Sequence, residues 1–231
     1  MSIADNLLKY KNELASHGVK LVAVSKNHPA EAVTEAYNAG HRVFEENLVQ
    51  EMVEKQAQLP DDIEWHLIGH LQTNKVKYIA PFVKLIESVD SLKLLKEINK
   101  QALKNKRVID CLLQIYIADV DTKFGLGFDE AIELLRDEEF ASLKNVRIVG
   151  LMGIASNHAL EGQTKAEFQE LKVLFDGIKV SFFRKEDSFK EISMGMSADY
   201  KLAIEQGSTM VRIGSNIFGK RVIKHWKAEK E

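Results

Sequence analysis

Two apolar periods alternate along this chain. Short aliphatic or β-branched runs occur at Lys20–Ser25, Arg42–Glu45, Glu64–Ile68, Leu85–Ser88, Ile109–Ile117, Arg147–Met152, Glu191–Ser193 and Met210–Ile213. Runs of that length and composition predict buried strands. Between them lie Ala30–Ala39, Asn47–Gln58, Ser91–Leu103, Glu130–Arg136, Thr164–Phe175 and Ala198–Gln206. There the pattern changes to that of a helix with one buried face. Ser91 and Ser197 stand where helix N-caps are expected. A further helix, roughly Ile3–Ser16, precedes the first strand, and residues 176–190 read as an irregular connection.

Eight strands alternating with helices predict an α/β fold of parallel βα units closed into a single (β/α)8 TIM barrel with an extra N-terminal helix. An open doubly wound sheet is the alternative. It is weaker because no Gly-x-Gly-x-x-Gly follows the first strand. Prolines are confined to Pro29, Pro60 and Pro81, and no Gly/Ser-rich linker divides the chain. One domain over residues 1–231 is therefore expected.

Composition narrows the function classes. Lys and Arg number 32 against 34 Asp and Glu, a formal net charge of −2, so nothing draws the chain generally to nucleic acid or to an anionic membrane. No run approaches the ~18 apolar residues of a membrane span, and the first twenty residues do not resemble a signal peptide. The single cysteine, Cys111, has Leu112 and Leu113 beside it and reads as an inert core thiol in a reducing compartment. A cytoplasmic protein is expected.

Barrel sites form at the C-terminal ends of the strands. The polar residues found there are Ser25 and Lys26, Glu46 and Asn47, His70 and Gln72, the Asp119–Lys123 segment, Ser197, and Ser215 and Asn216. Lys26 closes the run Lys20-Leu21-Val22-Ala23-Val24-Ser25-Lys26. A lysine leaving a buried strand can enter a pocket, where burial favours the neutral amine that attacks aldehydes. The plainer alternative is a surface lysine at a strand end. The segments Ser193–Ser197 and Ile213–Asn216 fall after strands seven and eight, where barrels often bind phosphate. Gly214 would allow close backbone approach, and Ser197 and Ser215 would add hydroxyls. The alternative there is a pair of ordinary turns. Arg212, inside the last strand, needs either a ligand acceptor or a buried carboxylate. His66 and His70 lack a metal-ligand set; His66 reads as an interior hydrogen-bonded histidine and His70 as a pocket residue. Lys123 is either a second lysine near the site or a solvated loop charge.

A resemblance spans nearly the whole chain. LVAVSK (21–26), ENLVQE (46–51), WHLIGHLQTNK (65–75), the S-V-D at 88–90, GLMGIA (150–155) and SMGMSADYKLAIEQGSTMVRIGSNIFGKR (193–221) resemble, in order, the pyridoxal-phosphate homeostasis family (YggS/PROSC-like). The resemblance implies a barrel similar to the N-terminal domain of alanine racemase. It implies pyridoxal 5′-phosphate (PLP) held as a Schiff base on Lys26. Arg212 would face the pyridine nitrogen, Ser197, Gly214 and Ser215 would cradle the phosphate, and Asn47 would lie near the cofactor. His70 and Lys123 are further positions that match. The implied role is intracellular PLP storage and transfer, with little or no turnover, by a monomer that hands PLP to apo PLP-dependent enzymes. The alternative is a weak amino-acid racemase-like enzyme, although the second domain of such enzymes is not among these 231 residues. A Schiff-base aldolase acting on a sugar phosphate would also use a barrel, a lysine and a phosphate site. Two departures from the family pattern stand out: Glu45, where glycine is usual, and the segment Ile117–Lys123. Both put the contacts at the site entrance in question.

Overall fold

Eight parallel strands pair in chain order and close on themselves. The computed structural model describes residues 2–118, 124–156 and 160–220. The strands are β1 (Lys20–Val24), β2 (Val43–Glu46), β3 (Glu64–Leu67), β4 (Leu85–Val89), β5 (Ile109–Ile115), β6 (Val146–Gly153), β7 (Glu191–Met196) and β8 (Met210–Ile213). Lys20 to Ala23 of β1 pair with Met210 to Ile213 of β8, which seals the ring. The expected TIM barrel is the fold found.

Alternation along each strand divides two cores, because successive side chains point to opposite faces. Val22, Leu85, Leu112, Val149, Met152 and Met210 fill the barrel interior. Their neighbours, such as Leu21, Ala23, Phe44 and Leu113, pack outward against the helices. The same parity sends Val24 and Glu45 inward from β1 and β2. Lys26, two residues beyond Val24, leaves the barrel on the inner side.

The helices follow the apolar stripes. In chain order they are α1 (Ile3–Ala15), α2 (Ala30–Asn38), α3 (Val49–Gln56), α4 (Val76–Ile79), α5 (Leu92–Lys104), α6 (Phe128–Arg136), α7 (Glu138–Ser142), α8 (Glu161–Phe182), α9 (Tyr200–Glu205) and α10 (Ser215–Phe218). In α1, Ser2 and Asp5 form a reciprocal cap, and Leu7, Tyr10 and Leu14 make the buried face. Ser91 caps α5 as expected, accepting from the Leu94 amide.

Three expectations need correction. Residues 176–190 are not an irregular connection: α8 runs on to Phe182 because its buried stripe continues through Phe175 and Ile178. Phe175 and Phe183 then both stack on Phe189, with ring centroids 4.8 and 4.5 Å apart. Ser197 is not a helix cap; α9 begins at Tyr200 with Asp199 before it, and the Met196 amide donates to Asp199. The helix after β2 starts at Val49 rather than Asn47. The short helices α4, α7 and α10 carry too few residues to show a period.

Candidate functional site

The turn after β1 is held from below by a buried ionic cluster. Lys55, on α3, donates to Glu46 at 2.6 Å, to Glu51 at 2.9 Å and to the Ser25 carbonyl at 2.8 Å. Ser25 Oγ also donates to Glu46 at 2.6 Å, and the Asn27 amide donates to Glu51 at 2.7 Å. Residues on both sides of Lys26 are thus fixed, and Asn27 accepts a left-handed backbone, φ 62°. Two carboxylates share one ammonium here. Burial raises the Glu46 carboxyl to about 7, with Lys55 opposing the shift and Glu51 adding to it. Lys26 itself is half-buried.

Across the β1–β8 seam, Gly214 lies against the end of β1. A Cβ at Gly214 would sit 3.2 Å from both the Val24 Cβ and the Val24 carbonyl oxygen, so the close approach depends on glycine. The Gly214 amide donates to Ser197 Oγ at 3.3 Å, and Asn216 Nδ2 donates to the Ser197 carbonyl at 3.2 Å. Ser215 follows as the exposed first residue of α10. Ser197, Gly214 and Ser215 therefore form one small-residue corner beside the strand that leads to Lys26.

Beneath this corner the barrel interior is charged. Arg212 is 1 % exposed. One terminal nitrogen donates to the Ser193 carbonyl and hydroxyl, at 2.8 and 2.7 Å, and the other to the Gly153 carbonyl at 3.1 Å. Its Nε has no partner. Ser193 Oγ donates to Glu87 at 2.6 Å, whose other oxygen lies 2.8 Å from His66 Nδ1. Burial opposes ionisation of Glu87, yet the contacts with His66, Arg212 and Ser193 outweigh it and hold its carboxyl below the usual range. Arg212 thus meets Glu87 through a serine, and no direct ion pair to Arg212 occurs among the described residues. His66 is interior and hydrogen-bonded, as its sequence context suggests.

Glu45 is the surprise of this interior. It lies inside the barrel rather than at the entrance, fully buried, with neither carboxyl oxygen partnered. Burial and the neighbouring Glu87 push its carboxyl well above the usual range, against the pull of Arg212 and Lys26.

Asn47 directly follows β2, the strand paired with β1 on the side away from β8. It lines a cavity of about 390 Å³ with Ile68, Gly69, His70, Tyr116 and Phe124. A Cβ on Gly69 would fall 1.8 Å from the Asn47 carbonyl oxygen, so no other residue permits this contact between the two loops. His70 stacks on Phe124 with centroids 4.1 Å apart and lies 3.3 Å from Asp90. Lys123 lies outside the described residues. The structure thus brings Lys26, Ser197, Arg212, Gly214 and Ser215 to the β7–β8–β1 seam, with Asn47 at the end of the adjacent strand β2. Sequence reasoning did not single out Glu45, Glu51 and Lys55 as site residues. The i, i+4 spacing of Glu51 and Lys55 was the available signal.

Comparison with known proteins agrees with this fold. Residues 1–222 match the family model described as "Alanine racemase, N-terminal domain". A pyridoxal phosphate homeostasis protein of Aquifex aeolicus is 41% identical over 203 residues, covering 87% of each chain. That of Homo sapiens is 40% identical over 212 residues, covering 87% of this chain and 76% of its own. Among solved structures, PipY of Synechococcus elongatus PCC7942 with PLP bound superposes with a TM-score of 0.85 at 36% identity, covering 94% of this chain and 100% of PipY. By sequence, extent and fold, the chain belongs to the alanine racemase N-terminal domain family, among the pyridoxal phosphate homeostasis proteins.

Proposed function

We propose that this protein binds PLP covalently through Lys26 and serves intracellular PLP homeostasis with little or no turnover. The observation that carries the reading is the Arg212 Nε. Among the described residues it is the only buried side-chain nitrogen without a partner, and it lies at the β8–β1 seam near Lys26. A buried donor left unpaired is costly, and a pyridine nitrogen is the acceptor it lacks. PLP when bound supplies an aldehyde for the lysine and an electron-withdrawing ring.

The chain's own groups do the rest. Lys26 offers the amine, on a turn that Glu46, Glu51 and Lys55 hold in place. Ser197, Gly214 and Ser215 offer hydroxyls and backbone amides to a phosphate. Asn47, at the end of the adjacent strand β2, offers a side-chain amide to the ligand. Arg212 donates to the ring nitrogen without protonating it, which weakens the ring as an electron sink. That favours holding and handing over the ligand above reshaping an amino acid. The recipients are apo PLP-dependent enzymes, and the protein acts as a cytoplasmic monomer. No helix among the described residues is long and apolar enough to cross a membrane.

The test is direct. Wild type and Lys26→Ala are mixed with PLP, scanned in the visible, then reduced with borohydride and mapped by mass spectrometry. A yellow band and a modified Lys26 peptide are expected in the wild type only, with the fold of the variant unchanged. A wild type that stays colourless and unmodified in excess PLP overturns the reading.

A further inference from the structure

Glu45 is a buried carboxyl without an assigned role. Structural carboxyls in a protein interior are paired, because an unpaired one costs stability. Glu46, Glu51 and Glu87 obey this rule, each through at least one oxygen. Glu45 does not: both of its oxygens are buried and lack any hydrogen-bond partner. Its backbone is nonetheless firmly placed. Val24 and Glu45 are register partners, and the Ser25 amide donates to the Glu45 carbonyl at 3.0 Å. The neighbouring Phe44 packs outward and Glu46 meets Lys55 of α3, so strand alternation turns Glu45 inward, below the mouth that Lys26 enters.

The charged groups around it come from several elements. Lys26 follows β1, Glu46 shares β2, Glu87 lies on β4 and Arg212 on β8, and all four act electrostatically on Glu45. His66 of β3 is its register partner on the other side. Burial, reinforced by Glu87 and opposed by Arg212 and Lys26, raises the Glu45 carboxyl well above the usual range and so favours its protonated form. A dry protonated carboxyl near an amine is placed to move protons during carbonyl chemistry.

We propose that Glu45 is the acid–base group for attachment and release of the aldehyde ligand at Lys26. The inference rests on the reading of Lys26 as the attachment point. During attachment the Lys26 amine lone pair forms a bond to the aldehyde carbon while the C=O π bond opens onto oxygen. Glu45 gives its proton to that oxygen and takes one from the nitrogen. A second exchange of the same kind expels the oxygen as water while the N=C bond forms. The water carries away Glu45's original proton and one amine hydrogen, and the other amine hydrogen stays on Glu45, which ends protonated, as it began. Release is the same sequence reversed, with water as reactant. Glu45 changes the rate in both directions and leaves the equilibrium where it was.

That symmetry gives the experiment. Attachment and release rate constants for PLP are measured by stopped-flow absorbance on wild type, Glu45→Gln and Glu45→Asp, with the dissociation constant measured separately. The expected result is that Glu45→Gln slows both rates by the same factor, about tenfold or more. Its dissociation constant should stay within about twofold, and Glu45→Asp should recover part of the loss. Should Glu45→Gln not fold, Glu45→Asp and Glu45→Asn, which differ in the ionisable proton, make the same comparison. Wild-type rates in the non-ionisable variant overturn the proposal. So does a change in release alone, which would mark Glu45 as a packing or affinity group. In either case attachment to Lys26 survives. A wild type that never attaches PLP overturns both the proposal and the reading beneath it.

Discussion

Single residues decide what this site can do, and Glu46 shows how. Its carboxyl moves from an ordinary 4.5 to about 7 in the folded protein, so the folded state holds the proton more tightly than the unfolded chain. Stability from this group is therefore complete below about 4.5 and is lost as pH rises through about 7. Urea midpoints of wild type and Glu46→Gln, compared across pH, should diverge over that window, with the wild type losing ground as pH rises. A constant gap between the two would show that Glu46 titrates normally. Some residues at this scale were legible in the sequence. Lys26 was marked by the strand it ends, and Arg212 by a charge inside an apolar run. Lys55 was not, because a lysine on a helix looks solvated until its acceptors are seen from Glu46, Glu51 and Ser25. Glu45 was visible as an unusual residue but not as an interior one, since only closure of the barrel removes its neighbours from water.

Elements position these residues, and α1 does so from outside the ring. Asn6 donates to the Ile217 carbonyl at 3.1 Å, Asn216 donates to the Tyr10 hydroxyl at 2.8 Å, and Tyr200 donates to Glu13 at 2.8 Å. The extra helix thus braces the loops after β7 and β8, which carry Ser197, Gly214 and Ser215. Its hold is apolar, through Leu7, Tyr10 and Leu14. Leu14→Ala should lower unfolding free energy by about 2–5 kcal/mol, while Leu8→Ala, at a position 58% exposed, should change it by about 0.5 kcal/mol or less. Equal effects in urea denaturation would mean that α1 is not docked by this face. The strands and long helices were readable from their periods because each buries one continuous stripe. What escaped was set by tertiary contact: the extra turns of α8 follow Phe189, and the late start of α9 follows Asp199. Ser197 lost its expected capping role to the Gly214 amide, a partner seventeen residues away.

The molecule as a whole is one closed sheet inside a ring of helices. A barrel has no free edge, so no strand can leave without breaking two ladders. Unfolding should be a single event. With Trp226 replaced by Phe, the fluorescence of Trp65, which is 2 % exposed, should change at the same urea concentration as the far-ultraviolet circular dichroism. Two separated transitions would refute that unity. The barrel was legible from eight alternating runs, yet its charged interior was not, because alternation says which residues face inward and not whether their partners meet. The seam between β1 and β8 carries one more consequence, and it concerns time. Lys26 belongs to the first strand made, while Arg212, Gly214 and Ser215 belong to the last. A chain still on the ribosome holds the lysine for most of its synthesis without the strand that completes its surroundings. The site is assembled only when the two ends of the sheet meet, so the growing chain is blind to its ligand until nearly all of these residues have emerged.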